Sequence, residues 1–165
     1  MILNKLSKNF ISNLLLILFI FLLDRFSKIY VIHLDKNSTG SEIFSSAFLN
    51  IILIWNEGIA FGLFSFDDTK LYNILTLLIL IIILVIVFMI SKSVGLKKFA
   101  LLMILGGALG NCFDRIIYKA VPDFIDFHIG NFHWFIFNVS DIFITIGVIL
   151  MIIIEITHKS ELVKL

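Results

Sequence analysis

The sequence predicts an all-α membrane protein: four transmembrane helices with both termini cytoplasmic, plus a small extracytoplasmic β-sheet or hairpin in the first outer loop. Three observations carry this. Of 165 residues, 60% are hydrophobic and the mean hydropathy is +1.09, whereas just under half of a soluble domain is apolar, so too little polar surface is left to face water. Four apolar stretches are long enough to cross a hydrocarbon layer about 30 Å thick. Basic residues gather on one side of those stretches and acidic residues on the other.

The first span, about 9–32, is apolar through Leu23 and then carries Asp24, Arg25, Ser27 and Lys28. Lys5 and Lys8 ahead of an apolar run could mark a secretory leader, but Asp24-Arg25 stands where a small-residue cleavage site would be, so the segment reads as an uncleaved helix. The second span, about 71–90, has only Tyr72, Asn73 and Thr76 as polar residues, all near its start. The third, about 99–117, is interrupted by Gly106, Gly107, Gly110, Asn111, Asp114 and Arg115, and the fourth, about 137–156, holds Asp141 near its beginning. Lys5 and Lys8, then Lys92, Lys97 and Lys98, then His158, Lys159 and Lys164 share one side of four spans, which the positive-inside rule makes cytoplasmic. The outer loops are then 33–70 and 118–136. In the first, Phe48 to Phe66 is rich in strand formers with a break at Asn56-Glu57-Gly58. In the second, Phe132, His133, Trp134 and Phe135 suit the headgroup layer. No linker or repeat divides the chain, so residues 1–165 read as a single domain.

Ionisable groups inside spans are costly and by default face the bundle interior with a role. Asp24, Ser27 and Lys28 lie at i, i+3 and i+4, on one helical face, so Asp24 and Lys28 are expected to form an ion pair, unless Lys28 reaches the surface instead. In the third span the glycines permit a close helix crossing. Gly107, Asn111 and Arg115 share a face there, either satisfying one another or lining a site, and Asp114 could form a local salt bridge with Arg115. Asp123 and Asp126 sit among apolar residues in Val121–Phe127. Asn138 and Asp141 lie at i, i+3, and no basic residue within the fourth span can neutralise Asp141, so it needs a partner from another helix. Two carboxylates meeting at such depth would share a proton, one then serving as general base toward water and the other as general acid. Spacing leaves Asp114, Asp123, Asp126 and Asp141 all open as members of such a pair.

Other chemistries find little support. The four histidines show no zinc-site pattern, and Cys112, the single cysteine, has no histidine nearby and allows no internal disulfide. No serine lies in a nucleophile elbow, the glycine run lacks the Lys-Ser/Thr of a phosphate loop, and nothing points to nucleic acid. A small transporter or proton conductor would spread polar groups through the membrane depth, whereas here they cluster at the outer ends of the helices. A non-catalytic scaffold would leave Asp141 without a reason.

The chain resembles the lipoprotein signal peptidase (signal peptidase II) family over nearly all its length. The matching pieces occur in family order: Asp24-Arg25-Phe26-Ser27-Lys28; Asn56-Glu57-Gly58-Ile59-Ala60-Phe61-Gly62; Gly106 through Arg115; Val121-Pro122-Asp123-Phe124; and Phe137-Asn138-Val139-Ser140-Asp141. The resemblance implies an aspartic endopeptidase of the bacterial cytoplasmic membrane, active toward the extracytoplasmic side. It implies cleavage of lipid-modified prolipoproteins just before the diacylglyceryl-bearing cysteine. It implies Asp123 and Asp141 as the catalytic pair, with Asn111, Arg115 and Asn138 orienting it and Asn56, Asp24, Lys28 and Gly107 as supporting or substrate-binding residues. It implies neither metal nor organic cofactor, and a monomer whose partners are substrate and membrane lipid. Pro122, Ile59 and Cys112 depart from the residues usual at those positions and bear on loop geometry rather than on the carboxylates.

Overall fold

The computed structural model describes residues 2–38, 42–58 and 69–162. In chain order the elements are α1 (Ile2–Asn37), β1 (Phe44–Ser45), β2 (Leu49–Asn56), α2 (Thr69–Lys92), α3 (Gly95–Tyr118), β3 (Val121–Ile129), β4 (Phe132–Phe137) and α4 (Val139–Leu162). Among the described residues three helices are long and apolar enough to cross a membrane: Tyr72–Lys92, Gly95–Tyr118 and Val139–Thr157.

α3 is the centre of the bundle and packs against α1, α2 and α4. Two thirds (67%) of its membrane-length window is buried, against 17% for α2 and 11% for α4. This explains why the least apolar span is the one full of glycine, Asn and charge: its neighbours, not lipid, surround it. Ile83 and Ile86 of α2 pack on Leu101, Leu105 and Cys112 of α3 to make the apolar core, while Leu84 and Phe88 turn outward. In hydrocarbon an outward-facing Leu needs no other explanation.

α4 crosses α3 at close range. A Cβ on Gly107 would stand 2.5 Å from the backbone oxygen of Ser140, and one on Gly110 would strike the Ser140 hydroxyl and the Asp24 carboxylate. The small-residue run therefore admits α4 on one side and α1 on the other.

The sheet differs from the expected hairpin in the first outer loop. Four antiparallel strands run in the order β1-β2-β3-β4, and half of them come from residues 121–137. The second strand expected after Asn56-Glu57-Gly58 lies outside the described residues. β2 finds its partner in β3, with Leu49 opposite Phe127 and Asn56 opposite Val121. β3 and β4 turn through Gly130-Asn131, with Gly130 at φ 59, as a two-residue hairpin loop requires. That Gly-Asn pair was the hairpin signal in a segment read as an aromatic loop. The fourth helix starts at Val139 rather than at 137, because Phe137 closes β4.

A Gly107→Ala variant should lower the thermal unfolding midpoint in detergent, at a cost of about 1–3 kcal/mol from forcing the α3–α4 crossing apart. Alanine's better helix propensity recovers only about 1 kcal/mol, so an unchanged or raised midpoint would mean that the crossing is loose.

Candidate active site

α1 delivers three charges to the bundle interior. The Lys28 ammonium is fully buried, 2.9 Å from Asp24 and 2.7 Å from Asp114, and donates to Asn111 Oδ1 at 2.8 Å. The Arg25 guanidinium donates to Asp24 at 2.9 Å and Asp114 at 2.7 Å and lies over the Phe113 ring. Two carboxylates and two cations cancel, which is the condition for keeping any of them out of water. The expected Asp24–Lys28 pair is present. The Asp114–Arg115 bridge that spacing left open is not: successive residues on a helix point about 100° apart, and Asp114 faces the cations of α1 instead.

Two arms leave this cluster toward α4. In one, Asp24 Oδ1 accepts the backbone N–H of Ser140 at 3.0 Å, an otherwise orphan donor of the first turn. In the other, the Asn111 amide is held by its oxygen. An ammonium can only donate, so Oδ1 must face Lys28 and the NH₂ must face the other way. It donates to Asp141 Oδ1 at 2.8 Å. Asp141 thus has its partner from another helix, an amide rather than a cation.

Asn138 occupies the junction of β4 and α4. Its Oδ1 accepts the Asp141 N–H at 3.1 Å and its own N–H donates to Asp141 Oδ2 at 3.2 Å. This is a reciprocal capping box with Asp in the position usually held by Glu. The Asn138 side-chain NH₂ donates to Asp123 Oδ1. One fully buried residue therefore touches both carboxylates. The second oxygen of Asp123 accepts from Asn56 at 2.9 Å across the β2–β3 ladder. Burial first, and then the negative charge of Asp141, push the Asp123 carboxyl up to about 6, against the pull of the Asn56 and Asn138 hydrogen bonds.

Arg115 is buried beside this group without a carboxylate partner among the described residues. It donates to the backbone oxygens of Asn111 and Gly58, both at 3.3 Å, and ties the end of β2 to α3. Asp126, three residues from Asp123 and so on the opposite face of β3, goes elsewhere: Asn50 donates to it at 3.1 Å and His133 Nδ1 lies 2.8 Å away. Gly107 sits at the helix crossing, away from the hydrogen bonds of both aspartates. Of the residues expected at the site, Asp123, Asp141, Asn138, Asn111, Asn56 and Lys28 join one hydrogen-bonded chain, and Asp24 braces it.

Residues 16–157 match the family model described as Signal peptidase (SPase) II. The chain belongs to the signal peptidase II family. It is 51% identical over 159 residues to the lipoprotein signal peptidase of Pelagibacter ubique (strain HTCC1062), covering 96% of each chain, and 38% identical over 142 residues to that of Anaplasma phagocytophilum (strain HZ), covering 85% of this chain and 88% of the relative. A bacterial membrane enzyme solved by the in meso method at 2.3 Å is similar with TM-score 0.75 and 32% identity, over 91% of this chain and 90% of that one. Signal peptidase II membership makes this a membrane protease of lipoprotein processing.

Two contributors to this signal peptidase II site have roles that sequence spacing does not show. Arg25 pairs with Asp114 across helices, and Asp114, one of the four carboxylates that spacing leaves open, faces the cations of α1 rather than its neighbour Arg115. The capping role of Asn138 was legible, since Asn-x-x-Asp before an apolar run is a helix-start pattern. A Lys28→Met variant leaves two buried carboxylates facing one guanidinium, and should lower unfolding stability by about 3–5 kcal/mol, measured by thermal or chemical unfolding in detergent. A loss below about 1 kcal/mol, the range of an exposed pair, would contradict the buried cluster.

Proposed function

We propose that this chain removes the signal peptide from diacylglyceryl-modified prolipoproteins, cutting just before the lipidated cysteine, with Asp123 and Asp141 as an aspartyl dyad that activates water. The observation that carries this is Asn138, which hydrogen-bonds to both carboxylates at once and so holds two aspartates from distant parts of the chain around one point. The raised carboxyl of Asp123 fits a pair that shares a single proton. Asp141, which accepts N–H donors from Asn111 and from the Asn138 backbone, is the natural base. It takes the proton of the attacking water as the oxygen bonds to the scissile carbonyl carbon. Asp123 gives its proton to the developing oxyanion, and a proton then reaches the leaving amine as the C–N bond breaks. Buried donors around the pair stabilise the charge that develops.

The same reading assigns α1 as a fourth span. Its charges face α3 and α4, while Phe10, Leu15 and Phe19 are exposed on its outer surface as lipid-facing residues would be. Lys92, Lys97 and Lys98 lie at the α2–α3 junction, the end of the bundle opposite the sheet. By the positive-inside rule that junction and both termini are cytoplasmic, and the sheet and dyad are extracytoplasmic, at the surface of the bacterial inner membrane.

Asp123→Asn and Asp141→Asn should each reduce cleavage of a lipid-modified precursor peptide to background while the protein still inserts and folds. Substantial turnover by either variant rules out the dyad. The unmodified peptide should be a far poorer substrate for the wild type. A carboxyl with a raised pKa keeps its proton to higher pH and loses the acid form on the alkaline side. In kcat/KM, activity should therefore fall as pH rises through about 6, the range of Asp123 in the free enzyme. Asn56→Ala removes a bond that favours the charged form, so it should move that limb to higher pH; a shift to lower pH, or none, counts against Asp123 as the acid.

A further inference from the structure

Asp126 is 2% exposed, against 4% for Asp123, and takes no part in the reaction proposed above. It stands in a line of side chains that crosses all four strands. Ser45 Oγ on β1 donates to Asn50 Oδ1 on β2 at 2.8 Å, and Asn50 Nδ2 donates to Asp126 Oδ2 on β3 at 3.1 Å. These three residues are direct partners in the backbone ladder. The line ends on β4, where His133 Nδ1 lies 2.8 Å from Asp126 Oδ2. An ionised carboxylate can only accept, so Nδ1 carries the hydrogen of this bond whether the ring is neutral or charged.

This last bond spans a fault in the sheet. Asp126 pairs with Ile136 and His128 with His133, so Trp134 and Phe135 of β4 stand opposite Phe127 alone. Such a β-bulge leaves a residue unpaired and breaks the ladder locally. It also breaks the alternation of faces. Phe132, Trp134, Phe135 and Phe137 all line a groove of about 450 Å³ that includes Asp141, although Trp134 and Phe135 are neighbours in the chain. Ring contacts of 6.0, 5.5 and 5.8 Å join these four along that face. Directly after Phe137 comes Asn138, which holds both aspartates. Without the extra residue β4 would be shorter by about 3.3 Å at that point, more than the hydrogen bond to Asp123 can absorb. Accurate placement of Asn138 therefore needs a fixed bulge, and there the Asp126–His133 bond ties the strands where the ladder does not.

We propose that Asp126 and His133 are positioning residues for the cleavage reaction: their hydrogen bond clamps the β4 bulge and so holds Asn138 against Asp123 and Asp141. This rests on the dyad reading and adds what keeps the dyad's shared partner in place. His133 contributes an N–H donor and acts through Asn138. The rival role is packing, since the His128 ring stacks on that of His133 with centroids 5.0 Å apart.

Two substitutions separate donor from ring, assayed in the full chain in lipid nanodiscs with a lipid-modified precursor peptide. His133→Phe keeps a ring to stack on His128 and has no donor. His133→Asn loses the ring and keeps an N–H as many bonds from the backbone as Nδ1. His133→Phe should lower kcat by about tenfold or more, on the scale of a slightly misplaced catalytic group, with KM within about twofold of the wild type. Asp123 would also lose the Asn138 bond that favours its charged form, so the fall of kcat/KM as pH rises through about 6 should move to higher pH. His133→Asn should restore most of kcat and leave that limb where the wild type has it. Both variants lack the imidazole, so its own titration cannot produce a difference between them.

An unchanged kcat in His133→Phe, a loss carried by KM, or equal losses in the two variants overturns the clamp. Asp123→Asn is measured alongside. Its turnover sinks the dyad, and the clamp with it, whereas an inactive Asp123→Asn beside an unaffected His133→Phe sinks the clamp and leaves the dyad standing. If His133→Phe does not fold, His133→Ala carries the same expectations at a side chain that is 53% exposed.

Discussion

A lysine ammonium with no access to water governs the arrangement of this protein. Lys28 cannot keep its charge in a bundle interior unless anions and acceptors come to it, and they come from two helices: Asp24 from α1, and Asp114 and Asn111 from α3. Through Asp24 the same cluster reaches the first turn of α4. α1, α3 and α4 are therefore held in register by electrostatic necessity, in surroundings where apolar packing alone would not decide it. Between helices in lipid the hydrophobic effect does not discriminate, and small residues with satisfied polar contacts take over that work.

The glycine run and the ion cluster act together. Gly110 leaves room for the Asp24 carboxylate and the Ser140 hydroxyl at the point where three helices meet, and Gly107 lets the backbone of α4 approach. With side chains at those positions the helices would stand apart, the Asp24–Ser140 bond would open, and the start of α4 would lose its place. Close approach at the helix crossing is thus the condition for accurate placement of Asp141, the residue that follows Ser140.

Local rules of helix initiation also serve the site. Asn138 caps α4 in the ordinary way, yet its remaining amide hydrogens point across to β3 and hold Asp123. The sheet supplies Asp123 and Asn56 from neighbouring strands, and its far side carries a separate polar group in which Asp126 engages Asn50 and His133. The proposed dyad sits where the polar sheet meets the apolar bundle, with an open apolar groove beside it. A membrane protease of lipoprotein processing has to work where both media meet.

Sequence by itself determined the membrane class, three of the helices to within a few residues, the polar face of the first helix, and the need of Asp141 for a partner outside its own helix. These follow from hydropathy and helical periodicity, which are local properties of the chain. It did not determine the sheet, because β2 and β3 lie far apart in sequence and strand pairing is a long-range contact that no local pattern encodes. Nor did spacing choose between Asp123 and Asp126, which only the resemblance separated: alternation places them on opposite faces of a strand, but only the tertiary structure decides which face meets the bundle. The partnership of Asp114 with Lys28 and Arg25 was hidden for the same reason. The nearest opposite charge along the chain, Arg115, points about 100° away around the helix, and a buried carboxylate pairs with whatever cation the packing of other helices brings to its own face.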